Sequence, residues 1–186
     1  FYIPLLPVQI LWMNLITDGL PAMALGVDPA QKNIMDRKTT KKKEPILSAR
    51  RLGMVGWQGI IITLGAIFVY FAAPIMFKND NHIFQTMVFT TLVITQLLHA
   101  YNFRFEDKGI FRKHIWGNKY LNLAVVVSIL LQIGIIYVPW LRDVFKTAYL
   151  KLDHWVIIIA SSVVSVLLIN IINEIIYKRQ KSRAFY

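Results

Sequence analysis

Five long apolar runs, separated by charged segments, constrain this 186-residue chain more than any other feature. They cover residues 3–27, 52–77, 83–103, 120–140 and 155–177. Each holds about 20 residues or more, which at about 1.5 Å per residue crosses a hydrocarbon core of about 30 Å. A soluble domain of this size has no use for five such runs. The fold class that follows is all-α, a polytopic membrane helix bundle with five transmembrane helices. The whole chain, 1–186, reads as one transmembrane domain.

The net charge is +11, which in a soluble protein points to nucleic acid. Its distribution assigns it to the lipid bilayer instead. Seventeen of the 21 Lys/Arg fall in the segment 28–51, the segment 104–119 and the tail after residue 177. Only Lys78, Arg142, Lys146 and Lys151 lie on the opposite side. The positive-inside rule then places the basic loop 28–51 and the C-terminus in the cytoplasm. Residue 1 falls on the outer side. A chain that starts outside at Phe1, without an initiator Met or a signal peptide, is expected to continue upstream. There is no cysteine, so thiolate metal sites and disulfides are excluded. No internal repeat is visible, and no second broken helix of the kind that inverted-repeat transporters carry.

The first run contains the chemistry. Asn14, Thr17 and Asp18 stand in an otherwise apolar stretch, followed by Gly19 and Pro21. Asp18 is the one acidic residue deep inside any run, where a charge costs roughly 2.5–3.5 kcal/mol or more. Helical steps of three and four gather the three side chains on one face. Pro21 has no N–H, so the carbonyl of Thr17 is expected to lose its helical partner. A free carbonyl at membrane depth needs protein, water or an ion. Carboxylate, amide, hydroxyl and backbone oxygens are hard ligands, suited to Ca²⁺, Mn²⁺, Na⁺ or protons. Singly, Asn14 and Thr17 read as interhelical hydrogen-bonding groups; with Asp18 and the Gly/Pro break they read as a cation site.

The string Leu5-Leu-Pro-Val-Gln-Ile-Leu-Trp-Met-Asn14-Leu-Ile-Thr17-Asp18-Gly-Leu-Pro-Ala resembles the sixth transmembrane helix of P-type calcium-transporting ATPases. The likeness continues through Gly26-Val-Asp-Pro, Ile34-Met-Asp-Arg37 and Lys43-Glu-Pro45, and becomes looser beyond. The resemblance implies the C-terminal membrane part, sixth to tenth helices, of an ATP-driven Ca²⁺ pump in the plasma membrane. It implies that Asn14, Thr17 and Asp18 give oxygens to the transported Ca²⁺. The other ligands would come from upstream helices of the same pump, and ATP and Mg²⁺ would be handled by its upstream cytoplasmic domains. Nothing in these residues resembles a phosphate-binding loop. The segment itself should hold no catalytic or cofactor-binding residue, and alone it should be inactive.

The segment Thr86-Met-Val-Phe-Thr-Thr-Leu-Val-Ile-Thr95-Gln96-Leu-Leu-His99-Ala-Tyr-Asn102 looks like the family's eighth helix. Gln96 stands where the two-site type has a glutamate ligand, which implies a single Ca²⁺ per cycle. His99 shares a face with Gln96 and reads as a packing or hydrogen-bonding residue. Gln58, Asn170 and Asn173 read as interhelical hydrogen-bond groups. The resemblance also implies that the basic loop touches the phosphorylation domain, although Thr39-Thr40-Lys41-Lys42 departs from the usual proline-containing stretch.

Gly53, Gly56, Gly59, Gly65 and Ala66 give the second helix a small-residue face, for which the resemblance implies an upstream helix as partner. The segment 141–154 is amphipathic and is expected to lie on the surface. Trp116, Tyr120, Trp140 and Trp155 mark interfaces. The residues alone leave other readings open: a channel or proton-coupled secondary transporter titrating Asp18, a Mn²⁺ or Na⁺ pump, or a structural bundle.

Overall fold

The computed structural model describes residues 3–28, 49–77, 81–103 and 117–183. Among them every regular element is helical, and five helical spans are long and apolar enough to cross a membrane. The first span, Pro7–Gly26, is composite. It runs through α1 (Pro7–Trp12), a π-helical segment (Met13–Asp18) and α2 (Gly19–Gly26). The others are α3 (Ala49–Met76), α4 (Asn81–Phe103), α5 (Lys119–Tyr137) and α7 (Leu152–Arg183), with a short α6 (Pro139–Phe145) between the last two. The chain is an integral, multi-pass membrane protein. The sequence-based bounds agree with these spans to within a few residues at most ends. Residues 29–48, 78–80 and 104–116, which hold most of both basic loops and Trp116, lie outside the described residues.

Consecutive spans run antiparallel. Residues 26, 51, 103 and 119 therefore share one end of the bundle, here the basic end, and α6 marks the other. α4 is the central helix, packed on α3 and α7 and touching the π segment and α5. Its buried face is rich in threonine, yet lipid-depth hydroxyls carry no penalty there. Thr86, Thr91 and Thr95 each donate to the carbonyl four residues back, at 2.7–2.8 Å. Two further bonds lace the helices: Ser162 Oγ donates to Thr91 O, and Gln58 Nε2 donates to Asn173 Oδ1 at 3.4 Å, so both residues bond between helices as the sequence suggested of each.

Prolines and asparagine set the element ends. Pro7 and Pro139 open α1 and α6 at positions that need no N–H donor. Asn118 caps α5: its Oδ1 accepts from Tyr120 N and Leu121 N at 2.9 and 3.0 Å. Its Nδ2 donates to Ala24 O at 3.0 Å, so one buried side chain closes both α5 and α2.

Two sequence expectations meet a different structure. The small-residue face of α3 divides. Gly65 lies against α7, where Ser161 Oγ donates to Gly65 O at 3.0 Å and an added Cβ would collide with Ser165 Oγ. A Cβ added at Gly53, Gly56 or Gly59 would meet no atom within 4 Å among the described residues. The segment 141–154, expected on the surface, keeps half of its residues exposed, but its later part anchors in the end of the bundle through Leu150 and His154. Lys146 turns the chain in the left-handed region at φ 52°, and the residues after it insert. Ala148 N donates to Thr86 Oγ1, Tyr137 OH donates to Leu150 O, and Trp155 Nε1 donates to Tyr137 OH, at 2.8–2.9 Å. Leu150 is buried as a result. Val144, Tyr149 and Leu152 stay exposed, so the bundle covers only part of the segment's apolar surface.

Candidate functional site: a cleft beside a π-helical break

The broken helix does not break by losing a turn. Between Met13 and Asp18 it widens into the π register, in which each carbonyl meets the N–H five residues on. Such turns are rare and concentrate at functional sites. The sequence argument left Thr17 O without a donor, because Pro21 is four residues ahead. The carbonyl of Ile16, one residue earlier, lies inside the π segment. Ser128 Oγ of α5 donates to that oxygen at 3.3 Å. A neighbouring helix thus meets a carbonyl of the widened turn, which local sequence cannot foretell.

The register also sorts the side chains. Met13 and Thr17, four apart, are buried, while Asn14 and Asp18, also four apart, are exposed in this chain. Thr17 is 2% exposed. The expected common face of Asn14, Thr17 and Asp18 is therefore split: Thr17 is buried, and Asn14 and Asp18 are exposed in this chain.

A cleft of about 350 Å³ opens between the first span, α3 and α4, toward the basic end. Its polar lining comprises Thr17, Asp18, Gln58, Gln96 and His99, with Pro21 beside them. The structure thus brings together Thr17, Asp18 and Gln96 from two helices; Asn14 is not part of this wall. Two oxygens here are orphaned. Thr17 Oγ1 and Gln96 Oε1 are buried without a hydrogen-bond partner. A buried polar atom left unpaired costs about 1–3 kcal/mol, so native structures retain few of them without cause. The residues that carry these two oxygens line one cleft with Asp18, at membrane depth.

His99 behaves as the sequence suggested: Nδ1 pairs with the Asn102 side-chain amide at 2.8 Å, and its ring meets Phe103 edge-on. Among the described residues no group of three or more His, Cys, Asp or Glu could hold a metal. The acceptors at the cleft are one carboxylate with neutral oxygens, a donor set for a hard cation. Sequence reasoning did not single out Gln58 as a cleft residue, nor Ser128 and Gln132. A Gln on an apolar helix signals a partner but not its place.

The family model described as "Cation transporting ATPase, C-terminus" matches residues 2–175. The chain is similar to a calcium-transporting ATPase 1 of Bacillus cereus, 33% identical over 96% of this chain and 21% of that protein. It is similar to a calcium-transporting ATPase of Bacillus subtilis, 38% identical over 90% of this chain and 19% of that protein. It is similar to the mouse calcium-transporting ATPase type 2C member 1, 35% identical over 97% of this chain and 19% of that protein. The chain spans about a fifth of the length of the curated relatives it matches. With a family model covering most of its length and five membrane-length helices, the chain belongs to the C-terminal membrane region of the cation-transporting P-type ATPases.

Proposed function

We propose that this chain is the membrane part of an ATP-driven Ca²⁺ pump and supplies part of the ion-binding site for calcium export by alternating access. The observation that carries the reading is the pair of orphaned oxygens, Thr17 Oγ1 and Gln96 Oε1, in one cleft with Asp18. Relatives named for calcium transport support the choice of cargo. Asp18 supplies the charge, and Thr17 and Gln96 supply neutral oxygens. Asn14, on the uncovered side of the same π segment, supplies an amide oxygen to the same ion once upstream helices of the pump close around it. A single carboxylate among neutral acceptors suits one Ca²⁺ per cycle. ATP and Mg²⁺ are handled by domains of the complete pump outside this segment, which alone does not hydrolyse ATP. The C-terminus lies in the cytoplasm, as the Lys/Arg asymmetry supports, and the membrane is the plasma membrane.

The test is Asp18→Asn in the complete pump. The expected result is loss of Ca²⁺-dependent phosphorylation by ATP, with phosphorylation from inorganic phosphate in Ca²⁺-free medium retained. Phosphorylation that stays Ca²⁺-dependent in this variant refutes the ligand assignment. Activation of the unaltered pump by Mn²⁺ or Na⁺ but not Ca²⁺ refutes the choice of ion.

A further inference from the structure

Three polar contacts join α5 to the first membrane span, and they bracket the π segment. Toward the α6 end, Trp12 Nε1 donates to Gln132 Oε1 at 3.0 Å, one residue before the π turns begin. Inside the π segment, Ser128 Oγ donates to Ile16 O. Toward the basic end, Asn118 Nδ2 donates to Ala24 O. Gln132 and Ser128 are four apart and both 1% exposed, so one buried stripe of α5 faces the widened turns. Gln132 does more than hold Trp12. Its Nε2 donates to Thr90 Oγ1 of α4 at 3.2 Å. One side chain thereby ties the helix that bears Thr17 and Asp18 to the helix that bears Gln96.

A π register has no intrinsic preference in its favour, and such turns appear as isolated insertions where surroundings support them. Here the support is visible. Ser128 donates to a carbonyl inside the π segment, and Gln132 holds the residue just before it. We infer that Ser128 and Gln132 are positioning residues: α5 splints the first span in its π register and so sets where Thr17 and Asp18 stand relative to Gln96. Neither residue touches the cleft. Their effect on the ion passes through the backbone of residues 13–18. The inference rests on the ion-site reading above.

The experiment uses the complete pump carrying Ser128→Ala, Ser128→Thr, Gln132→Met or Asp18→Asn, with phosphorylation by ATP titrated against Ca²⁺. Phosphorylation from inorganic phosphate without Ca²⁺ is the control for folding. Ser128→Ala and Gln132→Met should each raise the half-saturating Ca²⁺ concentration by about threefold to tenfold, the size of one net hydrogen bond. The maximal phosphoenzyme and the inorganic-phosphate reaction should not change, and Ser128→Thr, which keeps the hydroxyl, should restore the affinity. Wild-type Ca²⁺ dependence in both Ser128→Ala and Gln132→Met, with Asp18→Asn inactive, overturns the splint and leaves the site reading intact. A Ser128→Thr variant as impaired as Ser128→Ala makes the effect one of packing and also overturns it. Loss of the inorganic-phosphate reaction in both variants marks a general folding role, with the same consequence. Retained Ca²⁺ dependence in Asp18→Asn removes the reading on which the splint stands.

Discussion

The two halves of this bundle differ in how completely they satisfy their polar groups. In the half that carries α6, Gln9, Thr86, Thr90, Gln132, Tyr137 and Trp155 each have a partner. Gln9 is fully buried, and both ends of its amide are used: Oε1 accepts from Leu6 N and Nε2 donates to Phe145 O. In the other half, Thr17 Oγ1, Gln96 Oε1, Asn102 Oδ1 and Trp57 Nε1 are buried and unanswered. Both halves are polar, but only one is finished. In a bilayer a polar side chain that completes its bonds is structure, whereas one that leaves an acceptor open points to a guest. The difference is visible atom by atom and not from residue type.

Three substitutions in the complete pump put that contrast at risk. The largest effect belongs to Thr17→Val, which keeps the shape and removes the orphaned hydroxyl. Ca²⁺ affinity should fall at least tenfold, on the order of a hydrogen bond to a charged group. The thermal midpoint in detergent should hold or rise, because an unpaired buried oxygen is gone. A fall in the midpoint with unchanged affinity would make Thr17 an ordinary structural threonine. Gln96→Leu comes next. Ca²⁺ affinity should drop by about fivefold, less than for Thr17 because the amide sits on a longer arm, again with no loss of stability. An unaltered titration curve takes Gln96 out of the ion's surroundings. The smallest effect is that of Tyr137→Phe in the finished half. It removes the link between Trp155 Nε1 and Leu150 O, so stability should fall by about 0.6 kcal/mol per lost bond while Ca²⁺ affinity stays put. A change in affinity here, with stability intact, would erase the distinction between the halves.

The sequence carried the architecture because bilayer thickness sets a length that composition can be measured against. All five spans were legible for that reason, and so was the identity of Asp18, whose charge is conspicuous in apolar surroundings. The register of the first span was not. Gly19 and Pro21 announced a break, yet whether the chain loses a turn or widens one depends on Ser128, 112 positions from Ile16. The division of Asn14 from Thr17 follows from that register and was hidden with it. Gly65 shows the same limit: a small residue invites close approach, but which helix accepts is decided by Ser161 and Ser165 on α7. The anchoring of Leu150 after α6 escaped because hydrophobicity does not say which apolar residue will meet lipid and which protein.

The length of α7 has a consequence of its own. Thirty-two helical residues extend about 48 Å, more than the ~40–45 Å of a bilayer with its headgroups. Its membrane-length apolar stretch ends at Ile176, and the remaining turns carry Lys178, Arg179, Lys181 and Arg183. A thinner bilayer is accommodated by tilting such a helix, and a thicker one by standing it upright. Gly65 seats α3 directly on α7, and α3 is one wall of the cleft, so the last span supports the surroundings of Asp18 without lining the cleft itself.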